Sequence, residues 1–376
     1  MPFPVTNTTP HTNTHPGMHN VVLDVKNHFG AVGDNVANDR DAIQAALDAL
    51  PATGGGALYF PKGTYLCTGA TGLSVGNKER ISIYGNGPNE SQLRIQTTGA
   101  VGLDFGDGIA QPQYFQLRNI GIRSGLATGG PTTAGIRFNK TQVVFIQGCD
   151  LADFGTIVRF ETTAAVIITG NMIHFNPGRT QPVGFAFSNG VSDVTITGNA
   201  WEGNAGDTTN GPMFLDLLNP TTHGQWAVVG NVVRTDFNTF LRSGTSTPID
   251  GLTFQGNTFA DCYGRIVNLR GGGGSTQTDV LVTGNVARGT SATAGFEAAG
   301  TRTRCRAYGN VLSGFTNPYV GFTESIDTQV VATASLPAAA TAMNGQILIE
   351  DAGAGDRNLI IYAGGQRFRI DGGANV

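Results

Sequence analysis

The stretch that decides the fold, Val194-Thr195-Ile196-Thr197-Gly198-Asn199, is an alternating apolar strand that ends in Gly-Asn. A weaker copy ends at Gly148-Cys149. Full copies of the phrase end at Gly170-Asn171, Gly230-Asn231, Gly256-Asn257, Gly284-Asn285 and Gly309-Asn310. The seven glycines are 22, 28, 32, 26, 28 and 25 residues apart. A repeat of this length indicates a stack of similar coils joined by loops of variable length.

Counting from each glycine separates two kinds of position. In the full copies, the residues two and four positions before the glycine are apolar, and so is the residue three positions after it. The residues one and three positions before the glycine are mostly polar. Because side chains alternate between the two faces of a strand, the first set is predicted to point inward. Trp201 and Trp226 fall in this set and are predicted core residues. We expect the asparagines to adopt the left-handed corner backbone and to stack, each satisfying the next amide.

Composition excludes several classes of protein. The 55 glycines and the low charged fraction of 13% argue against a helical bundle. A net charge of −4 without a basic run makes nucleic acid a poor partner, and no apolar run approaches the ~20 residues of a membrane span. The N-terminus shows no ordinary secretory signal, so either the protein is not exported by that route or a leader is missing from this sequence. The four cysteines form no Cys-x-x-Cys pair and are predicted to be buried free thiols.

Four regions are predicted along the chain. Residues 1–20 form an extended arm, where prolines near His11, His15 and His19 argue against a helical metal site. Residues 21–70 form an N-terminal cap, with a helix over 39–50, and the first coil. Residues 71–325 form the coils, and residues 326–376 form a linker and a C-terminal β element that caps the stack or mediates oligomerisation.

Three segments near the N-terminus, Phe29–Asp34, Ala42–Ala46 and Gly54–Tyr65, resemble the signature of the pectate-lyase-like superfamily. In that superfamily a short helix caps a right-handed parallel β-helix. The resemblance therefore implies an all-β fold, a right-handed single-stranded parallel β-helix (solenoid) with an N-terminal capping helix and a small C-terminal β element. The superfamily includes lyases, hydrolases, epimerases and phage tailspikes, so the resemblance does not select a chemistry.

The first candidate site is the outward row four residues after each glycine. His174, Glu202 and Arg234 occupy that row on consecutive coils. A carboxylate between an imidazole and a guanidinium suits acid–base chemistry or sugar binding. A ladder of surface charges that only stabilises the stack is the simpler explanation. The candidate residues are Glu202 and Asp236 for catalysis, and His174, Arg234, Asp153, Asp261 and Arg288 for carbohydrate binding.

A second candidate pair comes from the other strand of the coil. Glu161 and Asp216 could supply the two carboxylates that a glycosidase needs, although an ion pair with Arg159 explains Glu161 as simply. Outward-facing tyrosines could stack on sugar rings, the candidates being Tyr84, Tyr263 and Tyr308. No cofactor or metal site is predicted. The Asn-Thr-Asp, Asp-Asp, Gly-His-Gly and Arg-Ile-Lys segments of polygalacturonase-type members do not occur in this chain.

The arm, the capped β-helix and the short C-terminal element together resemble a bacteriophage tailspike, tail-fibre or minor tail protein. The resemblance implies a homotrimer in the virion, with other tail proteins bound through the N-terminal arm and an extracellular working site. The predicted function is recognition of host cell-envelope polysaccharide. Two alternatives stay open: a polysaccharide depolymerase, either hydrolase or lyase, and a non-catalytic structural tail component.

Overall fold

A computed structural model of the chain divides into two compact units, Met1–Val194 and Thr195–Val376. It describes residues 11–12, 21–126, 133–175, 182–203, 212–218, 222–234, 237–262, 264–270, 275–289, 294–315, 317–322, 324–326, 328–332, 347–353, 356–363 and 366–370. The side chains of residues 11–12, 261–262, 294 and 317–318, and those beyond residue 322, are outside this description.

The first unit consists of short strands and one described helix, α1, at Arg40–Ala49. Its strands are β1 His11–Thr12, β2 Val21–Asp24, β3 Asp34–Asn38, β4 Gly56–Phe60, β5 Gly63–Gly69, β6 Leu73–Gly76, β7 Ile81–Gly85, β8 Ser91–Thr97, β9 Val101–Phe105, β10 Gln113–Arg118, β11 Gly121–Ser124, β12 Ala134–Asn139, β13 Gln142–Gln147, β14 Asp150–Ala152, β15 Thr156–Glu161, β16 Ala164–Thr169, β17 Met172–His174 and β18 Val183–Ser188. Strand β19, Ser192–Thr197, contains the boundary between the units.

Each coil of the first unit contributes one strand to each of three parallel sheets. The first sheet runs β2-β4-β7-β10-β13-β16, with β1 added antiparallel to β2. The second runs β3-β5-β8-β11-β14-β17, and the third runs β6-β9-β12-β15-β18. Since successive coils pair strand for strand, equivalent residues form straight columns up each sheet, about 4.8 Å apart.

Helix α1 follows the predicted start but uses its cap residue differently. Asp39 makes no side-chain cap hydrogen bond to the helix; instead its buried carboxylate accepts the backbone N–H groups of Val32 and Gly33, at 2.6 and 3.0 Å. Gln44 extends to the free edge of β6, where its amide both donates to and accepts from the backbone of Ser74 at 2.9 Å. Gln44 thus makes the hydrogen bonds that a preceding strand would make.

The second unit repeats the same coil. Its strands are β20 Ala200–Glu202, β21 Met213–Leu217, β22 His223–Val229, β23 Val232–Arg234, β24 Thr239–Ser243, β25 Ile249–Gln255, β26 Thr258–Cys262, β27 Arg265–Leu269, β28 Thr276–Thr283, β29 Val286–Gly289, β30 Ala294–Ala298, β31 Thr301–Thr303, β32 Arg306–Tyr308, β33 Val311–Ser313, β34 Asn317–Val320, β35 Glu324–Ile326, β36 Thr328–Ala332, β37 Ile347–Gly353, β38 Asp356–Ala363 and β39 Gln366–Ile370.

Three parallel sheets again form the coils of the second unit. The first runs β22-β25-β28-β32-β35, with β31 also on β28; the second runs β20-β23-β26-β29-β33, and the third β21-β24-β27-β30-β34. A fourth sheet, β36-β37-β38-β39, lies in the region predicted to form the linker and the C-terminal β element. The predicted fold class, an all-β parallel β-helix, is confirmed.

The core lies between the three sheets of each unit and is filled by the predicted inward rows. Trp201 and Trp226 are both buried, as the count from glycine predicts. In the third sheet of the first unit, Phe105, Phe138 and Phe160 stack ring on ring, with centroids 4.5 and 5.4 Å apart. Equivalent side chains in successive coils therefore pack as continuous stacks, which favours the same residue type at the same position.

The corner after each first-sheet strand differs from the prediction in one respect. The glycine, not the asparagine, adopts the left-handed backbone, with φ between 61° and 65° at the seven repeat glycines. Only Asn119, which stands where other coils have glycine, takes that conformation itself, with φ 51°. Glycine meets this requirement without strain, because it has no Cβ.

The asparagines after these glycines turn inward and form the predicted ladder. In the second unit, Asn231 Oδ1 accepts both the backbone N–H and the side-chain amide of Asn199, each at 3.0 Å. The same pattern continues through Asn257, Asn285 and Asn310. All five are buried, so their polar groups are satisfied by the ladder rather than by water.

Three of the four cysteines are described, and all three are buried free thiols as predicted: Cys67, Cys149 and Cys305. Burial raises the pKa of Cys67 and Cys149 to about 12. Such thiols carry no reactive thiolate at neutral pH. Of the N-terminal arm only β1 falls among the described residues, so its predicted binding role lies outside what the structure describes.

Candidate functional site

A three-residue polar cluster lies on the outer face of the second sheet in the first unit. His174 Nε2 is 2.8 Å from Asp150 Oδ1, and Asp150 Oδ2 accepts a hydrogen bond from the Arg123 guanidinium. The three residues come from strands β17, β14 and β11, which are neighbours in the sheet. The carboxylate of Asp150 therefore joins a cation on one side to an imidazole on the other.

One small residue makes room for this cluster. Arg123, Ala152 and His174 form one column, while Gly121, Asp150 and Met172 form the column two residues earlier. Ala152 lies between the two larger side chains, so Asp150 reaches both of them diagonally. A Cβ added to Gly121 would lie 2.5 Å from the Pro88 carbonyl oxygen, so this position requires glycine.

The electrostatics of the cluster favour an ionised carboxylate. Burial of Asp150 opposes ionisation, but the hydrogen bond with His174 and the positive charge of Arg123 hold its pKa below the ordinary value. A carboxylate that accepts a hydrogen bond from the N–H of one imidazole nitrogen fixes the tautomer and leaves the other nitrogen as an acceptor. His174 thus has the orientation that a general base needs.

The second unit presents a different surface on its second sheet. Val232, Thr258, Val286 and Val311 form one outward column in register. The three valines are 39%, 48% and 60% exposed. Two residues further along these strands lies a charged column in which Glu202 faces Arg234. We call these two columns together the valine–arginine face.

The three residues of the predicted row are divided between the two units: His174 lies in the first, and Glu202 and Arg234 lie in the second. Glu202 and Arg234 are in register and exposed, as expected. His174 belongs to the first unit and is bonded to Asp150. Arg288 is exposed on β29 and in register with Ser313. The charged residues of this row therefore line the outer faces of both units.

Two other members of the carbohydrate-binding prediction lie elsewhere. Asp153 is only 6% exposed, with φ 68°, at the end of its strand, where its N–H contacts the His174 carbonyl oxygen at 3.4 Å. Asp261 lies in β26, and its side chain is outside the described set. Asp236, predicted as catalytic, is outside the described residues altogether.

The two carboxylates predicted for a glycosidase are both engaged by arginines on the third sheet. Glu161 lies 2.5 Å from the Arg159 guanidinium, which agrees with the ion-pair explanation. Asp216 is buried and accepts two hydrogen bonds from Arg242, at 2.9 and 2.6 Å. The third sheet of the first unit also contains a bidentate pair between Arg137 and Asp104. These pairs form stabilising charge ladders within each unit.

The candidate tyrosines differ in how far their rings are open to a ligand. Tyr308 is exposed on β32, whereas Tyr84 has Tyr59 at 5.2 Å on one neighbouring strand and Arg118 at 4.9 Å on the other. Because both faces of the Tyr84 ring are covered, a sugar cannot stack on it. Tyr263 is outside the described residues.

Asp150 and Arg123 were not predicted from the sequence. Asp150 occupies the position two residues after the glycine, where the other coils carry Met172, Ala200, Val232, Thr258, Val286 and Val311. A single charge in an otherwise uncharged column is the signal that could have found it.

Among the residues that the structure describes, no group of His, Cys, Asp and Glu has an arrangement that could hold a metal ion. Nor does the described part of the chain include a helix long and apolar enough to cross a membrane.

The coils, the asparagine ladder and the three parallel sheets define the class as pectate-lyase-like parallel β-helix proteins. The chain belongs to the family described as rhamnogalacturonase A/epimerase, pectate lyase-like, which it matches over residues 22–267. The resemblance inferred from the N-terminal segments is thereby confirmed.

Three comparisons show which known proteins the chain is similar to. Mannuronan C5-epimerase AlgE6 of Azotobacter vinelandii is 38% identical over 101 residues, which cover 24% of this chain and 11% of the epimerase. The match thus spans about a tenth of that relative. ORF18 of Geobacillus virus E2 has a TM-score of 0.56 at 14% identity and covers 92% of this chain and 68% of its own. An exopolygalacturonase from Thermotoga maritima has a TM-score of 0.54 at 12% identity, and the match covers 96% of this chain and 95% of the exopolygalacturonase. The two structures share the fold.

Proposed function

We propose that this protein is a bacteriophage tail protein, a spike, fibre or minor tail component, that binds a host cell-surface polysaccharide. The binding surface is the valine–arginine face of the second unit. Through its N-terminal arm the chain contacts other tail proteins, and it assembles as a homotrimer in the virion.

The observation that carries this proposal is the pairing of an apolar column with a charged one. Pyranose rings have C–H faces that contact aliphatic side chains and hydroxyl groups that need donors and acceptors. Val232 and Val286 offer the first kind of contact, and Glu202 and Arg234 the second. Successive residues of each column are about 4.8 Å apart. The charged column carries Glu202, Arg234 and Arg288, with Ala260 between the two arginines. Contacts spread over several coils suit a long chain of sugar units rather than a single ligand.

The comparisons support the two halves of the proposal separately. The relative AlgE6 is named as a mannuronan epimerase and the Thermotoga maritima protein as an exopolygalacturonase, so relatives of this chain are polysaccharide-active. The structure of similar fold from Geobacillus virus E2 is a viral protein, which supports a phage setting for the fold.

A binding measurement with purified host envelope polysaccharide tests the proposal. We expect Arg234→Ala to weaken binding by about tenfold or more, because a hydrogen bond to a charged group contributes about 1.5–3 kcal/mol. Arg304→Ala is the matched control, since Arg304 is exposed in the same unit but pairs with Asp279 beside the first sheet. Equal affinities for the two variants, or no binding by the wild type, would contradict the proposal.

A depolymerase is the second candidate, and the orientation of His174 by Asp150 favours it. Incubation of the protein with the same polysaccharide would then release oligosaccharides, and His174→Gln would stop the release. Products that absorb in the near ultraviolet would identify a lyase, because elimination leaves an unsaturated sugar. Binding without any release would leave recognition as the function.

A further inference from the structure

The first sheet of the first unit carries an apolar patch on its outer face. Strands β13 and β16 read Gln-Val-Val-Phe-Ile-Gln and Ala-Ala-Val-Ile-Ile-Thr. Their inward residues are buried in the core, and Val143, Phe145, Ala165 and Ile167 are apolar as well and partly exposed. Phe145 faces Ile167 in register. Continuous apolar runs of this kind are typical of strands that are covered on both faces.

Tyrosine–arginine pairs flank the patch on the neighbouring strands. The Arg118 guanidinium lies 4.9 Å from the centre of the Tyr84 ring, at the C-terminal ends of β10 and β7. The Arg80 guanidinium lies 5.8 Å from the centre of the Tyr114 ring, at their N-terminal ends. Tyrosine and arginine dominate the binding energy of protein interfaces, and side chains already held in place lose little entropy on binding. We call the outer residues of β7, β10, β13 and β16, with Arg80, the tyrosine–arginine face.

We propose that the tyrosine–arginine face is where copies of this chain associate with one another. This inference rests on the homo-oligomer proposed above and names the surface that forms it.

Charge is the reason to choose a second copy as the occupant. The whole chain is acidic, with a net charge of −4, yet every residue of this face is described and none is a carboxylate. Identical acidic chains repel least where their carboxylates are absent. The outer faces of the second and third sheets carry Asp150, Asp104 and Glu161. Within the first sheet, Asp24 and Asp193 lie on β2 and β19, outside this face.

The two flanks also complement each other. Tyr114 is 46% exposed on the N-terminal flank, and Arg118 is exposed on the C-terminal flank. In a ring, one flank of each copy meets the opposite flank of the next, so Arg118 of one copy can lie on Tyr114 of another.

The size of the sheet fits such a contact. The four strands of the face, about 4.8 Å apart and about 20 Å long, give a surface on the order of 400 Å². A standard interface buries about 800 Å² on each partner, so this face supplies about half of it, with the apolar patch as its centre.

The mass of the full chain in solution, measured by light scattering or sedimentation, tests the inference. Ile167→Glu places like charges opposite each other, which we expect to weaken association by about 100-fold and to give the mass of a single chain. Ile109→Glu is the matched control, because Ile109 is 78% exposed in a loop outside the four strands. Arg118→Ala, at an exposed side chain, tests the same face without a risk to folding, and about tenfold weaker association is expected.

Three outcomes would overturn the inference. The inference would be overturned if the wild-type protein had the mass of a single chain at micromolar concentration. It would also be overturned if both Ile167→Glu and Arg118→Ala had the same mass in solution as the wild type. Failure of these variants to join a tail at unchanged mass would indicate that another tail protein occupies the face. Polysaccharide binding is measured separately on the single-chain variant, so loss of oligomerisation and failure of the proposed recognition are distinguishable.

Discussion

Removal of one member of the asparagine ladder gives the sharpest test of what holds the second unit together. The Asn257 side chain takes part in four hydrogen bonds: two from Asn231 to its oxygen, at 3.0 and 2.9 Å, and two from its own amide, to the Val228 carbonyl and to Asn285. Asn257→Ala removes all four. It leaves the buried Asn231 backbone N–H and the Val228 carbonyl without these partners.

The expected effect follows from this count. A net value of about 1 kcal/mol for each buried hydrogen bond gives a loss of about 4 kcal/mol in the free energy of unfolding. Asn257→Asp should be at least as destabilising, because a carboxylate would retain the acceptor role but face the Val228 carbonyl oxygen and the Asn285 oxygen. Gln255→Ala is the matched control, since Gln255 is exposed two residues earlier on the same coil, and a change below about 0.5 kcal/mol is expected there.

Urea titration followed by tryptophan fluorescence measures these changes. Both tryptophans of the chain, Trp201 and Trp226, are buried in the second unit and should report its unfolding. Similar unfolding midpoints for Asn257→Ala and Gln255→Ala would refute the reasoning, because the ladder would then be a consequence of stacking and not a source of stability.

Three further predictions concern the first unit. Asp150→Asn should lower the free energy of unfolding by about 2–4 kcal/mol, because it leaves a partly buried Arg123 without its counter-charge; chemical denaturation measures this. In the wild type, the pKa of Asp150 is lower in the folded state than its ordinary value of 3.8, so the ionised carboxylate stabilises the fold. This stability is fully present above pH 3.8 and is lost as the pH falls through the lower pKa of the folded state. Melting temperatures measured over a series of acid pH values should show the loss, and the loss should be smaller in Asp150→Asn. Thr162→Asn should raise the free energy of unfolding by about 0.5–1 kcal/mol, because Thr162 is an exposed β-branched residue with a left-handed backbone, at φ 51°. Asparagine tolerates this conformation, as Asn189 does with φ 60° at the corresponding corner of the next coil. A lower melting temperature for Thr162→Asn would contradict the prediction.

Much of the fold could be predicted from the spacing of Gly and Asn. Strand side chains alternate strictly, so one fixed residue per coil assigns a direction to its neighbours, and Trp201 and Trp226 were placed in the core in this way. The backbone conformation at the corner was assigned to the wrong residue. Both glycine and asparagine tolerate a left-handed backbone, so the sequence does not show which of the two adopts it. In the structure the asparagine side chain turns inward to join the ladder, and the glycine adopts the left-handed conformation.

The candidate site was less predictable, because its contacts cross columns. Counting placed His174 in a row with Glu202 and Arg234, but His174 bonds to Asp150, 24 residues away and in a different column. That contact depends on the small size of Ala152, which no single row reveals.

The sequence by itself therefore determined the coil, its inward and outward positions and the superfamily, since these follow from local periodicity. Tertiary structure alone decided which charged residues pair across strands, as for Asp216 with Arg242 and Asp150 with Arg123. A side chain can reach diagonally to several neighbours on a sheet. The one it meets depends on the space that all the others leave.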